Sequence, residues 1–141
     1  MANKIMLEIV TPNKLVVSEE VDLATLPGEE GVFGVMANHA PLLSSLKIGE
    51  LHYKNDNQTV YMAISGGFCE VSNNRLTVLA EAAERAEEID VDRALKAKER
   101  AERRLQQAAA QKENIDVARA QAALMRAITR LKVAQEYRGA A

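Results

Sequence analysis

Residues 76–94 read LTVLAEAAERAEEIDVDRA, and the hydrophobic rhythm of the chain changes inside them. Leu76 to Ala80 is nearly continuously apolar, as a well-covered strand is. From Glu81 onward alanine, glutamate and arginine take over, and these residues favour helix. Asp90 then stands where a helix would begin, because its carboxylate accepts backbone N–H groups that a first turn leaves unpaired. The stretch divides the chain into a β domain, residues 1–85, and a helical domain, residues 86–141.

Towards the N-terminus the period is two. Ile5, Leu7 and Ile9 alternate with Met6, Glu8 and Val10. Val21, Leu23 and Thr25 alternate with Asp22, Ala24 and Leu26. Such alternation predicts half-buried strands. Val60 to Ile64 and Leu76 to Ala80 are the expected central strands, covered on both sides. Turn signals recur at Thr11-Pro12-Asn13, Pro27-Gly28, Asn38 to Pro41, Gly49, Asn55-Asp56-Asn57, Gly66-Gly67 and Ser72-Asn73-Asn74. Six of the seven glycines, all three prolines and both phenylalanines precede residue 70. Many short strands with regular turns predict a β-sandwich or small barrel.

Towards the C-terminus the period is helical. Asp90 caps a predicted helix from Val91 to about Ala110, and Asp116 one from Val117 to about Tyr137, with Gly139 after its end. Gln111 to Ile115 is short enough for an antiparallel turn. The second helix sets Ala120, Leu124, Ala127, Ile128, Leu131 and Ala134 on one stripe. The first offers Ala94, Ala97, Ala101, Leu105 and Ala108. A stripe of alanines favours helix but buries little apolar area, so this hairpin is expected to dock weakly and to detach. The fold class expected is α+β: an N-terminal sandwich followed by an antiparallel two-helix hairpin.

Composition narrows the function. The 141 residues carry 18 basic and 20 acidic side chains, a formal net charge of −2. A nucleic-acid partner is not expected without a basic excess. No apolar run approaches the roughly 20 residues that span a bilayer, so membrane insertion is not expected either. Met1 to Ile5 leads straight into a strand-like segment without the apolar core of a signal peptide, which points to a cytosolic setting. Cys69 is the single cysteine, and its strand context reads as packing. No Cys/His cluster suits a metal.

Several residues draw attention by position. Arg119, Arg126 and Arg130 fall within one sector of the second helix, away from its apolar stripe. An antiparallel hairpin brings Arg93 towards Arg126 and Arg130, with Glu84 and Asp90 nearby. Three guanidinium groups grip phosphates, and two carboxylates accept amino or hydroxyl groups, so the set suits a nucleoside triphosphate. A solvated basic face and two ordinary helix caps are the plainer reading of the same residues. The segments beginning Ile89-Asp90-Val91 and Ile115-Asp116-Val117 repeat one pattern of an apolar residue before a capping aspartate. No Gly-rich phosphate loop is present, and Ser65-Gly66-Gly67 lacks the strand-to-helix context of a nucleophile, so no hydrolysis by this chain is expected. His39 reads as a loop residue and His52 as a strand residue without an evident partner. Glu29-Glu30-Gly31-Val32-Phe33-Gly34-Val35 either exposes its apolar pair as an interface or tucks Phe33 inward.

Taken in order, Val10-Thr11-Pro12, Gly31-Val32-Phe33-Gly34-Val35, Asn38-His39-Ala40-Pro41-Leu42, Gly49, Ser65-Gly66-Gly67-Phe68, Thr77-Val78-Leu79-Ala80 and the two-helix end resemble the epsilon-subunit family of bacterial-type F-type ATP synthases. The likeness runs over essentially the whole chain. It implies a non-catalytic part of the central stalk, the rotor, peripheral to the cytoplasmic face of the bacterial plasma membrane. The implied partners are the gamma subunit, the ring of c subunits and, when the hairpin extends, the catalytic alpha/beta head, whose ATP hydrolysis it then blocks. Basic residues including Arg103, Arg104, Arg119 and Arg126 would face that head. The family's Ile/Leu-Asp-x-x-Arg-Ala motif matches Ile89 to Ala94. Glu84, Asp90, Arg93, Ala94, Arg126 and Arg130 match positions that hold ATP on the folded hairpin in some members, as a regulatory ligand with no cofactor required. Glu29, Glu30, Val32, Phe33 and His39 match the region that meets the ring and the stalk base, Val32 standing where some members carry a carboxylate. A free-standing nucleotide sensor or adaptor is the alternative.

Overall fold

The computed structural model describes residues 3–110 and 116–140. Eight strands come first: β1 (Ile5–Val10), β2 (Leu15–Val21), β3 (Leu23–Gly28), β4 (Gly31–Met36), β5 (Leu42–Asn55), β6 (Gln58–Ser72), β7 (Arg75–Ala80) and β8 (Ala83–Arg85). A short 3-10 turn, Ala86–Glu88, leads into α1 (Val91–Ala109) and α2 (Val117–Ala140). The strands pair in the order β2-β1-β7-β6-β5-β3-β4, with β8 added to β6. All pairs are antiparallel except β1 with β7. This is a β-sandwich followed by two helices, an α+β chain.

The two longest strands make the sandwich. β5 and β6 pair from Leu42↔Val71 to Asn55↔Gln58, but the ladder skips Lys47 and Gly66. There Gly66 and Gly67 take φ of +73° and +127°. Both conformations are open to glycine and costly for other residues. The bend lets one half of each strand join β7, β1 and β2, and the other half join β3, β4 and β8. Between the two layers lie Ile5, Leu7, Ile9, Leu26, Leu51, Tyr53, Met62, Ile64, Leu76 and Val78, all fully or almost fully buried.

Several expectations shift. Gly49 and Gly66-Gly67 lie inside long strands, not at turns: Gly66-Gly67 marks the bend, and Gly49 leaves room for Pro27, whose Cβ would stand 2.8 Å from a Cβ placed there. The Pro27-Gly28 signal sits within β3, and the turn itself falls on Glu29 and Glu30. Val21 closes β2, so the buried phase restarts at Ala24 and Leu26 instead of running through Leu23 and Thr25. β6 is covered on both sides at Met62–Ile64, because α2 lies on its outer face. β7 is not: its residues alternate and Leu79 is exposed, since no helix packs there.

The hairpin docks through small residues. Ala94 and Ala101 of α1 are buried in the seam between the helices, with Ala120 and Ala127 of α2. Alanine seams let helix axes approach closely, so larger side chains are displaced to the flanks. Hence Ile128 is exposed, and Leu124 and Leu131 are only half-buried, against the expected apolar stripe. α2 carries the contact to the sandwich, where Val133 and Ala134 meet Ala63, Ala86 and Ile89. Asp90 accepts from Arg93 N and Asp116 from Arg119 N, both at 3.1 Å, so both expected caps form. α2 runs to Ala140, which puts Gly139 inside its last turn. The expected turn at Gln111 to Ile115 lies outside the described residues.

Candidate functional site

Where the hairpin lies on the sandwich, a cavity of about 680 Å³ opens between them. That is the size range of small-molecule sites. β8 supplies Glu84, placed by its pairing with Ala63 on β6. α2 supplies Arg126 and Arg130, four residues apart and therefore on one face. α1 supplies Arg100, and Lys14, Ser65, Glu88 and the buried Thr129 complete the polar lining. The Arg130 guanidinium donates to Glu84 at 2.8 Å, both side chains about a third exposed. This pair ties α2 to the sandwich. Arg100 and Arg126 meet no carboxylate within ion-pair distance among the described residues. The lining thus carries four basic and two acidic side chains, with two guanidinium groups unneutralised. Such a cavity suits a compact polyanion.

The sequence-predicted residues divide. Glu84, Arg126 and Arg130 come together at this cavity. Asp90, Arg93 and Ala94 do not line it. Asp90 is engaged as the α1 cap, Ala94 is fully buried in the helix seam and Arg93 is exposed. The antiparallel register puts Arg100 opposite Arg126, and Arg93 lies seven residues back, roughly 10 Å along the axis. Sequence reasoning missed Arg100: its spacing of seven from Arg93 puts both in one helix sector, but that spacing alone does not say which of the two stands opposite Arg126. Arg119 lies farther along, in a groove of about 690 Å³ between the helices that also touches Arg100, Arg104 and Arg126.

The second candidate surface is at the sandwich. The pair in Gly31–Val35 splits: Val32 is 70% exposed, whereas Phe33 packs on the core. Glu29 and Glu30 sit exposed at the turn beside it. His39 is at the other end of β4, a strand of six residues, and its Nδ1 is 2.7 Å from the Ala40 carbonyl oxygen. The structure therefore does not bring His39 to the Glu29–Val32 tip. Sequence reasoning missed the exposed apolar side chains Met36, Leu43, Phe68 and Leu79. On β6 and β7, Phe68 and Leu79 are cross-strand partners on an uncovered face. Cys69 is buried, and burial pushes its thiol up, as a packing residue requires. His52 does have neighbours, the Glu50 carboxylate at 3.2 Å and the Tyr61 ring. Among the described residues, no helix is long and apolar enough to cross a membrane.

Known proteins share this arrangement. Residues 4–86 match the family described as "ATP synthase, Delta/Epsilon chain, beta-sandwich domain" and residues 87–135 the one described as "ATP synthase, Delta/Epsilon chain, long alpha-helix domain". The chain is 60% identical over 107 residues to an ATP synthase epsilon chain of Nitratidesulfovibrio vulgaris, covering 76% of this chain and 80% of that one. With the ATP synthase epsilon chain of Carboxydothermus hydrogenoformans it shares 54% over 105 residues, 74% of this chain and 78% of the other. In fold it is similar to a chain of the Euglena gracilis mitochondrial ATP synthase, in an assembly of OSCP, F1 and c-ring. The TM-score is 0.67 at 24% identity, covering 99% of this chain and 82% of that one.

Proposed function

Because the chain belongs to the ATP synthase delta/epsilon-chain family, we propose that it is the epsilon-type subunit of a bacterial F-type ATP synthase, acting in the central stalk as a non-catalytic rotor part. Its sandwich joins the gamma subunit to the c-ring and passes torque between them. The exposed side chains Val32, Met36, Leu43, Phe68 and Leu79 are apolar surface for those contacts, with Glu29 and Glu30 at the tip and His39 at the far end of β4. It sits peripherally, on the cytoplasmic face of the membrane.

The hairpin is a brake with two positions. Docked on the sandwich, it leaves the catalytic head free. Extended, it enters the head and blocks ATP hydrolysis. The observation that carries this reading is the cavity lined by Glu84, Arg100, Arg126 and Arg130, which exists only while the hairpin is docked, since Glu84 belongs to the sandwich and the arginines to the helices. ATP there binds its phosphates to Arg126, Arg130 and Arg100. Glu84 offers an acceptor to an amino or hydroxyl group. A ligand that binds only the docked form stabilises it by RT ln(1 + [L]/Kd), about 2.7 kcal/mol at a hundred times Kd. Against a docking surface of mostly alanine, that decides the position. Chemistry belongs to the catalytic subunits, not to this chain.

Adding this chain to catalytic assemblies that lack it is expected to lower ATP hydrolysis at micromolar ATP, and millimolar ATP is expected to relieve the inhibition. Inhibition of equal depth at both concentrations would reject the nucleotide-gated brake.

A further inference from the structure

α2 lies on the outer face of β5 and β6, and its last turns bring one carboxyl group onto another. Along β5, Leu51 and Tyr53 point into the core, so Glu50 and His52 face outward beneath the helix. Their ladder partners Ala63 and Tyr61 on β6 share that face. One Glu50 oxygen lies 3.2 Å from His52 Nδ1; the other is buried and has no hydrogen-bond partner among the described residues. Glu136 stands one helical turn beyond Val133, which packs with Ala63, the ladder partner of Glu50, so its carboxyl meets the Glu50 carboxyl from the helix side. Two ionised carboxylates in such contact repel, whereas a carboxylic acid on Glu136 supplies the donor that Glu50 lacks.

Among the described residues, two other charged groups face Glu136. His52 from β5 and Lys132 on α2 both favour its ionised form, and β6 offers the Tyr61 ring. The 3-10 turn meets the helix through apolar Ala86, with its Glu87 and Glu88 exposed. We propose that Glu50 and Glu136 form a proton-operated clasp that holds the hairpin on the sandwich while they share a proton and releases it when that proton leaves.

Geometry sets the direction. The hydrogen bond with Glu50, then burial, then the Glu50 charge push the Glu136 carboxyl up to about 7, against the opposing pull of Lys132 and His52. The proton belongs to the pair, and Glu136 carries it in this arrangement. An undocked hairpin exposes Glu136, which then titrates in the ordinary carboxylate range. The docked form holds more protons between the two values. Docking is therefore strongest below about pH 5, weakens as pH rises towards 7 and is level above that. Release on the alkaline side needs no nucleotide, so the clasp adds a second input to the same hairpin.

Amide hydrogen exchange of the full chain without nucleotide tests it, reading protection factors of Val133 and Ala134 corrected for intrinsic exchange. Between pH 5.5 and 7.5 the wild type is expected to lose about tenfold in protection, less than the full linkage because Glu136 is partly solvated. Glu136→Gln mimics the protonated acid, and Glu50→Gln removes the repulsion; each is expected to change less than twofold. Amides of Leu7 and Val78 in the sandwich are expected to stay level. A flat wild-type profile, an undiminished slope in Glu136→Gln, or an equal loss in the sandwich would overturn the clasp. Because nucleotide is absent, failure here leaves the reading of the arginine cavity standing, and failure of that reading leaves the clasp.

Discussion

Gly67→Ala is expected to cost the sandwich about 3–5 kcal/mol, and Gly31→Ala only about 1–2 kcal/mol. Both glycines hold φ values that other residues rarely adopt, +127° at Gly67 and +140° at Gly31. Backbone strain is therefore common to both substitutions. Space is not. A Cβ on Gly67 would lie 2.0 Å from the Leu79 carbonyl oxygen and 2.9 Å from the Ala80 Cα, whereas one on Gly31 meets nothing within 4 Å. The obstacle at Gly67 is backbone of β7, which cannot swing aside without breaking its ladder to β6. Since a domain of this size has about 5–15 kcal/mol in hand, the larger loss approaches unfolding. Urea denaturation of the two variants checks the contrast. Equal losses would mean that strain alone governs the bend.

Arg126→Ala is expected to weaken ATP binding about tenfold or more, and Arg126→Ala with Arg130→Ala about a hundredfold or more. Each guanidinium makes charge-assisted bonds to phosphate worth about 1.5–3 kcal/mol, and every 1.4 kcal/mol is about tenfold in affinity. The two side chains are not equivalent. Arg130 is already paired with Glu84, so ATP must share or displace that contact, and removing Arg130 also unties α2 from β8. The pair is partly exposed, so its loss alone costs at most about 1 kcal/mol. Arg126 has no such partner among the described residues and is the cleaner probe. Arg126→Lys keeps the charge but loses the planar fork, and is expected to fall between wild type and alanine. Calorimetric titration separates these cases; unchanged affinity in the double variant would move the phosphates elsewhere.

The sequence was a good guide wherever one periodicity ran undisturbed. The alternation at Ile5, Leu7 and Ile9, the two aspartate caps and the alanine seam all appear as read. Glycine misled because it reports backbone freedom, not chain reversal. Gly66-Gly67 uses that freedom to bend a strand that continues, and Gly49 gives room to Pro27 beside β5. The apolar stripe of α2 was misjudged because helices meeting through alanine come too close for leucine between them. At the cavity, Glu84, Arg126 and Arg130 were legible from helix spacing and order along the chain. Arg100 was not, since the register of two helices joined by an unspecified turn decides which arginine of α1 stands opposite Arg126. The Glu50–Glu136 contact was invisible for a related reason: it joins a mid-strand residue to a helix 86 positions later, and no local pattern encodes that pairing.

ATP is expected to hold the hairpin down. Hydrogen exchange of the full chain with and without millimolar ATP tests it most directly, at one fixed pH. Protection is expected to rise in both α1 and α2 by the factor 1 + [L]/Kd while the sandwich core is unchanged, and Arg126→Ala is expected to remove the rise. No change in hairpin protection at millimolar ATP, or a rise that persists undiminished in Arg126→Ala, would contradict it.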